Sequence, residues 1–229
     1  MRLLLLRHGQ THSNVSGALD TAFPGAALTD LGRRQADAVV QALDGTSIDT
    51  IAVSNLLRTA ETAHPIATAL ALTPAEHDGL REITAGDFEM RADEEAVFGF
   101  LGTIADWLDG DLDLRMPGGE TCTEFLARYD DAIARVCTDG VAAALVVSHG
   151  AAIRTWVTHR ASGEHAPIHE GLHNTGCIVL DGSPEEGWAI VAWDREPIGG
   201  DWLDDEQAPD PTGGDLDPDD EVPDQSSGS

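Results

Sequence analysis

The stretch Leu3-Leu4-Leu5-Leu6-Arg7-His8-Gly9 decides how the rest of the chain is arranged. Four consecutive leucines that stop at polar residues and a glycine predict a buried strand followed by a tight turn. Open α/β sheets bind their ligands at the carboxyl ends of their strands. The stretch therefore predicts an α/β protein in which Arg7 and His8 lie at the ligand-binding edge of the sheet.

The side chains that follow this strand are suited to binding an anion. An arginine can hold an oxyanion with two parallel hydrogen bonds, and a histidine at the end of a rigid strand can act as a nucleophile. Asn14 could donate an amide hydrogen bond to the same group, and Gly9 would let the backbone approach it. A buried strand followed by an ordinary polar loop fits these few residues equally well, because a short motif has little specificity.

A second segment repeats this organisation later in the chain. Residues 141–147 form an apolar run typical of a buried strand, and Ser148-His149-Gly150 follows it before a predicted helix that extends to about residue 159. A single histidine after a strand is more often structural than functional. His149 alone therefore leaves both interpretations open.

Between these two segments the sequence predicts a strand and two helices. Thr29 is a typical N-cap for an amphipathic helix that Gly45 ends, and residues 49–53 form the next strand. Arg58 lies in the first turn of the following helix, where backbone amides and the helix dipole favour anions. On its own, an arginine on a helix surface is usually a solvated charge. A strand, a helix and a second strand in this order predict a parallel pair with a right-handed crossover.

Six segments, taken in order, resemble the motifs of the histidine phosphatase superfamily, also called phosphoglycerate mutase-like. The first has the pattern Arg-His-Gly-x-Thr-x-x-Asn, which is matched by Arg7, His8, Gly9, Thr11 and Asn14. The other segments are Thr29–Ala36, Ser54–Ala63, Leu80–Glu82, Gly118–Thr121 and Val147–Gly150. The resemblance extends over about residues 2–195, which is far more than a chance match would give.

This resemblance implies a fold and a set of residue roles. The fold is a three-layer α/β sandwich with a mostly parallel central sheet flanked by helices, plus a small inserted helical subdomain at about residues 91–115. The implied catalytic residues are His8 as the nucleophile, Glu82 as the proton donor, and His149, Arg7 and Arg58 around the phosphoryl group. The implied phosphate-binding residues are Arg7, Asn14, Arg58, His149 and Gly150. The implied reaction uses no metal and no cofactor.

The segment around the proton donor departs from the family pattern. A glutamate beside a phosphate dianion should have a raised pKa, because like charge disfavours ionisation, and a general acid needs this. After Gly86 the family often has an aromatic residue, Glu and Gly, whereas this chain has Asp87-Phe88-Glu89-Met90. Asp87 or Glu89 therefore competes with Glu82 for the role of the acid.

The family contains phosphatases and mutases, and the sequence favours a phosphatase. Phosphoglycerate mutases of the family usually follow this glutamate with Arg-His-Tyr-Gly and carry further basic residues. Here Glu82 is followed by Ile83-Thr84-Ala85-Gly86, and the chain contains no lysine. We therefore expect a hydrolase that forms a phosphohistidine and acts on a small phosphorylated metabolite. A cofactor-dependent phosphoglycerate mutase and a non-catalytic phospho-ligand binding module are the alternatives.

The charge balance limits the partners of the chain. Its 229 residues include 13 basic residues, all of them arginine, against 41 acidic ones, which gives a formal net charge of −28. Nucleic acids and anionic membranes require a basic face, so neither is an expected partner. The chain has no apolar segment of transmembrane length and no signal-peptide pattern, and a cytoplasmic location is expected. The sequence does not indicate an oligomeric state.

The remaining residues with ligand chemistry do not predict a metal site. Cys122, Cys137 and Cys177 lack metal-ligand or redox spacing, and we interpret them as reduced core thiols. The histidines at 165, 169 and 173 recur every four residues, but Pro167 lies between two of them and argues against a continuous helix.

The composition divides the chain at about residue 200. Residues 1–200 form the predicted phosphatase domain, whereas residues 201–229 contain eleven of the acidic residues, four prolines and a final Ser-Ser-Gly-Ser. Such a segment buries little apolar surface, so a disordered acidic tail is expected over residues 201–229.

Overall fold

The computed structural model describes residues 1–163 and 171–214, which contain seven strands and six α-helices. The strands are β1 (Arg2–Arg7), β2 (Thr50–Val53), β3 (Ala75–Glu76), β4 (Ala143–Ser148), β5 (Ala161–Ser162), β6 (Cys177–Ser183) and β7 (Gly187–Asp194). The helices are α1 (His12–Ser16), α2 (Asp30–Ala42), α3 (Leu57–Leu70), α4 (Glu94–Leu108), α5 (Cys122–Val136) and α6 (Gly150–Arg160). Short 3-10 helices lie at Asp78–Leu80, Gly86–Phe88 and Asp201–Leu203.

The strands form one mostly parallel sheet in the order β3-β2-β4-β1-β6-β7-β5. β2 and β1 both pair with β4 in parallel, and β6 runs antiparallel to β1 and β7. The predicted parallel relation of β1 and β2 is correct, but the two strands are not neighbours, because β4 lies between them. The local sequence could not show this, since β4 is contributed by a segment about ninety residues further along the chain.

Side chains of the central strands divide the core into two layers. In β1, Leu3 and Leu5 pack into one apolar cluster and Leu4 and Leu6 into another, because successive residues of a strand point to opposite faces. The first cluster includes α4, α5 and α6, and the second includes α2 and α3. Helices therefore cover both faces, and the predicted three-layer α/β sandwich is confirmed.

The region predicted as an inserted subdomain forms α4. Phe100, Ile104 and Trp107 on this helix are fully or almost fully buried, and the Trp107 ring stacks on Phe125 of α5 with centroids 6.4 Å apart. The apolar face of α4 is thus part of the main core. In the described part of the chain, no helix has both the length and the apolar character to cross a bilayer.

The predicted disordered tail is wrong for its first fourteen residues. Residues 201–214 pack on the body of the protein: Leu203 is fully buried, and its carbonyl accepts a hydrogen bond of 2.8 Å from Gln35 Nε2. Average composition does not reveal such single anchoring residues, so it places the end of the folded domain too early. Residues 215–229 lie outside the described part of the chain, as do His165 and His169 of the histidine repeat.

Candidate active site

The two histidines of the repeated motif meet at the carboxyl ends of neighbouring strands. β1 and β4 are parallel and in register, with Arg7 opposite Ser148, so the next residues of both strands lie side by side. The rings of His8 and His149 are edge to face with centroids 5.2 Å apart, and both side chains are buried.

Hydrogen bonds fix the tautomer of His8. Arg58 Nε lies 3.0 Å from His8 Nε2, and because a guanidinium only donates, Nε2 must accept. The ring proton is then on Nδ1, which lies 2.8 Å from the carbonyl oxygen of Gly9 and donates to it. Burial, with the charges of Arg58 and Arg7, holds the pKa of His8 well below its usual value. His8 is thus a neutral imidazole whose Nε2 lone pair faces a cationic pocket.

Gly9 allows two backbone segments to pack closely. A Cβ atom on Gly9 would lie 2.6 Å from the carbonyl oxygen of Gly32 in α2, so the glycine permits close packing of two backbone segments. Gly150, the first residue of α6, also lies close to neighbouring atoms. A Cβ atom there would lie 2.4 Å from the Thr212 carbonyl oxygen and 3.0 Å from Arg7 Nε. Gly150 therefore lies beside Arg7, at the predicted phosphate site.

Three buried nitrogen atoms of the site have no hydrogen-bond partner among the described residues. They are Arg7 Nε, Arg58 Nη1 and His149 Nδ1. Buried polar groups are normally paired, and unpaired ones on two guanidinium groups and an imidazole are typical of a site that binds an oxyanion. Arg58 is held in place by its first-turn position in α3 and by a 3.0 Å hydrogen bond from Nη2 to the Asp20 carbonyl oxygen.

His149 is oriented by Ser54, for which the sequence predicts no role of its own. Ser54 Oγ lies 2.8 Å from His149 Nε2 and accepts a 3.1 Å hydrogen bond from the Leu56 backbone N–H. The contact directs the other ring nitrogen, Nδ1, away from Ser54. Ser54 begins one of the segments that resemble the family, and it directly follows β2, the strand next to β4. Only the first of these facts can be read from the sequence, because the order of β2 and β4 in the sheet is known only from the structure.

Arg7 and Asn14 converge on a single carboxylate. Arg7 is fully buried, and its Nη1 and Nη2 atoms each lie 2.7 Å from an oxygen of Asp210. Asn14 Nδ2 donates to Asp210 Oδ1 at 2.7 Å. Asn14 Oδ1 accepts from the Thr11 backbone N–H at 2.8 Å, and this fixes the amide with its NH₂ group toward Asp210. Two predicted phosphate-binding side chains therefore hold an anionic group together.

Glu82 lies at the amino end of α6, the helix that begins directly after His149. Its Oε1 atom accepts from the backbone N–H groups of Ile83 at 2.9 Å and Ala152 at 2.8 Å, and Oε2 accepts from Ala151 at 3.3 Å. Burial raises the pKa of Glu82, although these hydrogen bonds and the nearby charge of Arg58 oppose the shift. In the structure the shift arises from desolvation, which outweighs the opposing effects.

Arg128 of α5 fixes the loop that carries Glu82. Its guanidinium donates to the carbonyl oxygens of Gly79, Arg81 and Glu82 at 2.8 to 2.9 Å and pairs with Glu120 at 2.6 Å. The sequence does not distinguish Arg128, because an arginine on a helix surface carries no pattern of its own.

The competing carboxylates have other surroundings. Asp87 is exposed, and Glu89 Oε1 accepts the backbone N–H groups of Thr21 and Ala22, both at 2.9 Å. Met90, which stands where the family often has glycine, adopts a left-handed backbone with φ +61°. The loop thus keeps a conformation that glycine would adopt more easily.

One group of side chains outside the pocket could hold a metal ion, among the residues that the structure describes. It consists of His173, Glu196 and Asp204, with ligand atoms within 4.8 Å of one another. His173 Nδ1 lies 3.0 Å from Asp204 and 3.3 Å from Glu196, which is ion-pair geometry that requires no metal.

Comparison with known proteins shows the family of the chain. The family model of the histidine phosphatase superfamily (branch 1) matches residues 3–196. A Yersinia pestis protein named "Probable phosphoglycerate mutase GpmB" is 31% identical over 206 residues, which are 87% of this chain and 93% of that protein. The PE-PGRS family protein PE_PGRS11 of Mycobacterium tuberculosis is 33% identical over 214 residues, and the matched region spans 85% of this chain but 36% of that protein.

A solved structure extends the comparison to three dimensions. The native structure of a mycobacterial glucosyl-3-phosphoglycerate phosphatase superimposes with a TM-score of 0.70 at 25% identity, covering 85% of this chain and 99% of that one. The family match over most of the chain, together with the paired histidines and arginines, identifies it as a member of the histidine phosphatase superfamily, branch 1.

Proposed function

We propose that this chain is a phosphomonoester hydrolase that forms a phosphohistidine on His8 and acts on a small phosphorylated metabolite. The observation that carries the proposal is the state of His8: a neutral ring, protonated on Nδ1, with its Nε2 lone pair among buried cationic donors. A neutral imidazole in this setting is a nucleophile for phosphorus, and the surrounding donors compensate the charge of the phosphoryl oxygens.

In the proposed reaction, His8 Nε2 attacks phosphorus in line with the leaving oxygen. Arg58 Nε now donates to that lone pair, so an incoming phosphate must draw the guanidinium onto its own oxygens before attack. Arg7, Asn14, His149 and the α6 amino end at Gly150 bind the remaining oxygens. The P–O bond breaks as Glu82 gives its proton to the leaving oxygen, and the resulting carboxylate then takes a proton from the water that hydrolyses the P–N bond.

A mutase differs only in what accepts the phosphoryl group, and a specific observation keeps it as the second candidate. The named Yersinia relative is a phosphoglycerate mutase by its name, whereas the compared structure is a phosphatase by its title. Hydrolysis is favoured because Ile83 and Ala85, which follow Glu82, are fully buried and apolar, and neither can bind a second anionic group. A non-catalytic binding module is disfavoured because each catalytic position carries a competent residue.

The nucleophile is tested by His8→Ala, with His12→Ala as the matched control because His12 is an exposed histidine on α1. We expect no turnover from the first variant and full turnover from the second. Rapid quenching of the wild-type enzyme without acid should trap phosphate on His8. A label on another residue, or full activity of His8→Ala, would contradict the proposal.

The acceptor is tested by giving the wild-type enzyme a phosphoglycerate. Release of inorganic phosphate without the positional isomer supports a phosphatase, whereas isomerisation faster than phosphate release makes the enzyme a mutase. Binding of phosphate without any label on His8, together with no turnover of any ester tried, would support the binding module.

The proposal includes a cytoplasmic location and a reaction that needs no metal. The free state of Cys122, Cys137 and Cys177 supports a reducing compartment, where thiols persist. The nucleophile, the anion-binding groups and the acid are all side chains of this chain, so no step requires an added ion.

A further inference from the structure

Residues 201–214, named here the C-terminal strap, lie across the pocket. Leu203 anchors the strap at one end, and Gln10 Nε2 donates to Asp205 Oδ2 at 2.7 Å further along. At the other end, the Gly213 carbonyl oxygen accepts from the Leu172 backbone N–H at 3.0 Å. These contacts are made with segments that are far apart in the sequence, so they hold the strap in place along its length.

The strap presents one carboxylate to the predicted phosphate-binding residues. Asp210 bridges Arg7 and Asn14 through three contacts of 2.7 Å, and its side chain is 16% exposed. Burial would raise the pKa of Asp210, but the charge of Arg7 and the hydrogen bonds from Arg7 and Asn14 outweigh it, so the pKa lies below its usual value. The group is therefore an anion at neutral pH, held by the same guanidinium fork that suits a phosphate.

We propose that the strap is an internal competitor of the substrate: Asp210 occupies the part of the phosphate site formed by Arg7 and Asn14, and substrate must displace it. This inference rests on the proposed function, since it assigns those two residues to the phosphate. A phosphate oxygen and the Asp210 carboxylate cannot use the same donors, and two anions in one pocket repel each other. The strap therefore lowers the affinity of the closed enzyme for every phosphoester.

The occupation is partial, as expected of a carboxylate in a site built for a phosphoryl group. A carboxylate offers two oxygens in one plane, and both of them are used on Arg7 and Asn14. Arg7 Nε, Arg58 Nη1 and His149 Nδ1 have no partner among the described residues. A phosphoryl group has a third oxygen to reach such donors. Because a phosphoester makes these additional contacts, it can displace the carboxylate.

A purely structural role for Asp210 predicts the opposite result on substitution. If Asp210 only held Arg7 in place, its loss would weaken phosphate binding. If Asp210 competes, its loss removes the closed form, in which Asp210 occupies the phosphate site. The apparent affinity for phosphate then rises, because it is proportional to the open fraction of the enzyme.

The test measures the Kd of inorganic phosphate by calorimetry for the full chain and for Asp210→Asn and Asp210→Ala. Glu206→Gln is the matched control, because it removes one charge from an exposed position of the same strap. We expect phosphate to bind at least tenfold more tightly to both Asp210 variants, with KM for p-nitrophenyl phosphate lowered by a similar factor, and no change in the control.

If loss of the contact between Asp210 and Arg7 prevents the Asp210 variants from folding, a different variant tests the proposal. Asp205→Asn weakens the contact of the strap with Gln10 and leaves Arg7 untouched, so phosphate should bind several-fold more tightly. Unchanged or weaker phosphate binding in the folded variants would overturn the inference. The proposed function is judged separately, by wild-type turnover and by the phosphate label on His8, so the two can fail independently.

Discussion

Glu82→Gln changes the protonation of one buried group and keeps its shape. The glutamine oxygen can accept the backbone N–H groups of Ile83 and Ala152, which Glu82 Oε1 accepts in the native protein. The glutamine NH₂ group would face the N–H of Ala151, so the variant loses one hydrogen bond, of 3.3 Å. We expect the unfolding free energy to fall by about 1 kcal/mol. For a chain of this size, that lowers Tm by roughly 2–4 °C.

The kinetic effect should depend on the leaving group. With alkyl phosphates, whose alkoxides leave poorly, loss of a general acid should lower kcat/KM by about 10²- to 10⁴-fold. With p-nitrophenyl phosphate the loss should stay under about tenfold, because nitrophenolate leaves with little proton assistance. Burial raises the pKa of Glu82, so the wild-type rate on alkyl phosphates should fall only as pH rises past that raised value. The variant should lack this alkaline fall.

Glu89→Gln is the matched control for the acid. Glu89 supports the loop at Thr21 and Ala22 through backbone hydrogen bonds, so its loss should slow both ester types by the same factor. If Glu82→Gln also slows both types equally, or keeps the alkaline fall, Glu82 is not the proton donor, and Glu89 or Asp87 becomes the candidate.

Three further predictions concern Ser54, Met90 and the proposed metal-free reaction. Ser54→Ala removes the partner of His149 Nε2, and since a misplaced catalytic group can cost about 10²-fold, kcat should fall tenfold to a hundredfold with KM nearly unchanged, as measured by steady-state kinetics. Met90→Gly should raise Tm in a thermal melt, because a non-glycine residue in a left-handed conformation costs about 1–2 kcal/mol, whereas Met90→Ala keeps its Cβ atom and should not. Activity should survive dialysis against a chelator, and a loss of more than about tenfold in kcat/KM would contradict the proposed metal-free reaction.

The sequence could predict the positions of His8 and His149 because a strand end is a local feature. An apolar run followed by a histidine and a glycine places the side chain at the edge of the sheet, whatever the strand order. Contacts that cross between elements are different in kind. The pairing of Ser54 with His149 depends on β2 lying beside β4, and the clamp of Arg128 on the loop before Glu82 depends on how α5 packs. No local pattern contains either fact.

Composition predicts a disordered tail where the structure has the C-terminal strap, because composition averages over a segment, whereas docking depends on a few residues. The chain has a net charge of −28, and Arg7 and Arg58 are both buried in one pocket. That pocket therefore attracts the acidic residues of the same chain. The Coulomb energy of one carboxylate beside a buried guanidinium exceeds that of many carboxylates in open solvent, since screening by water is lost. An acidic segment tethered close to such a pocket is therefore present at high effective concentration, and a single well-placed aspartate is enough to hold it there.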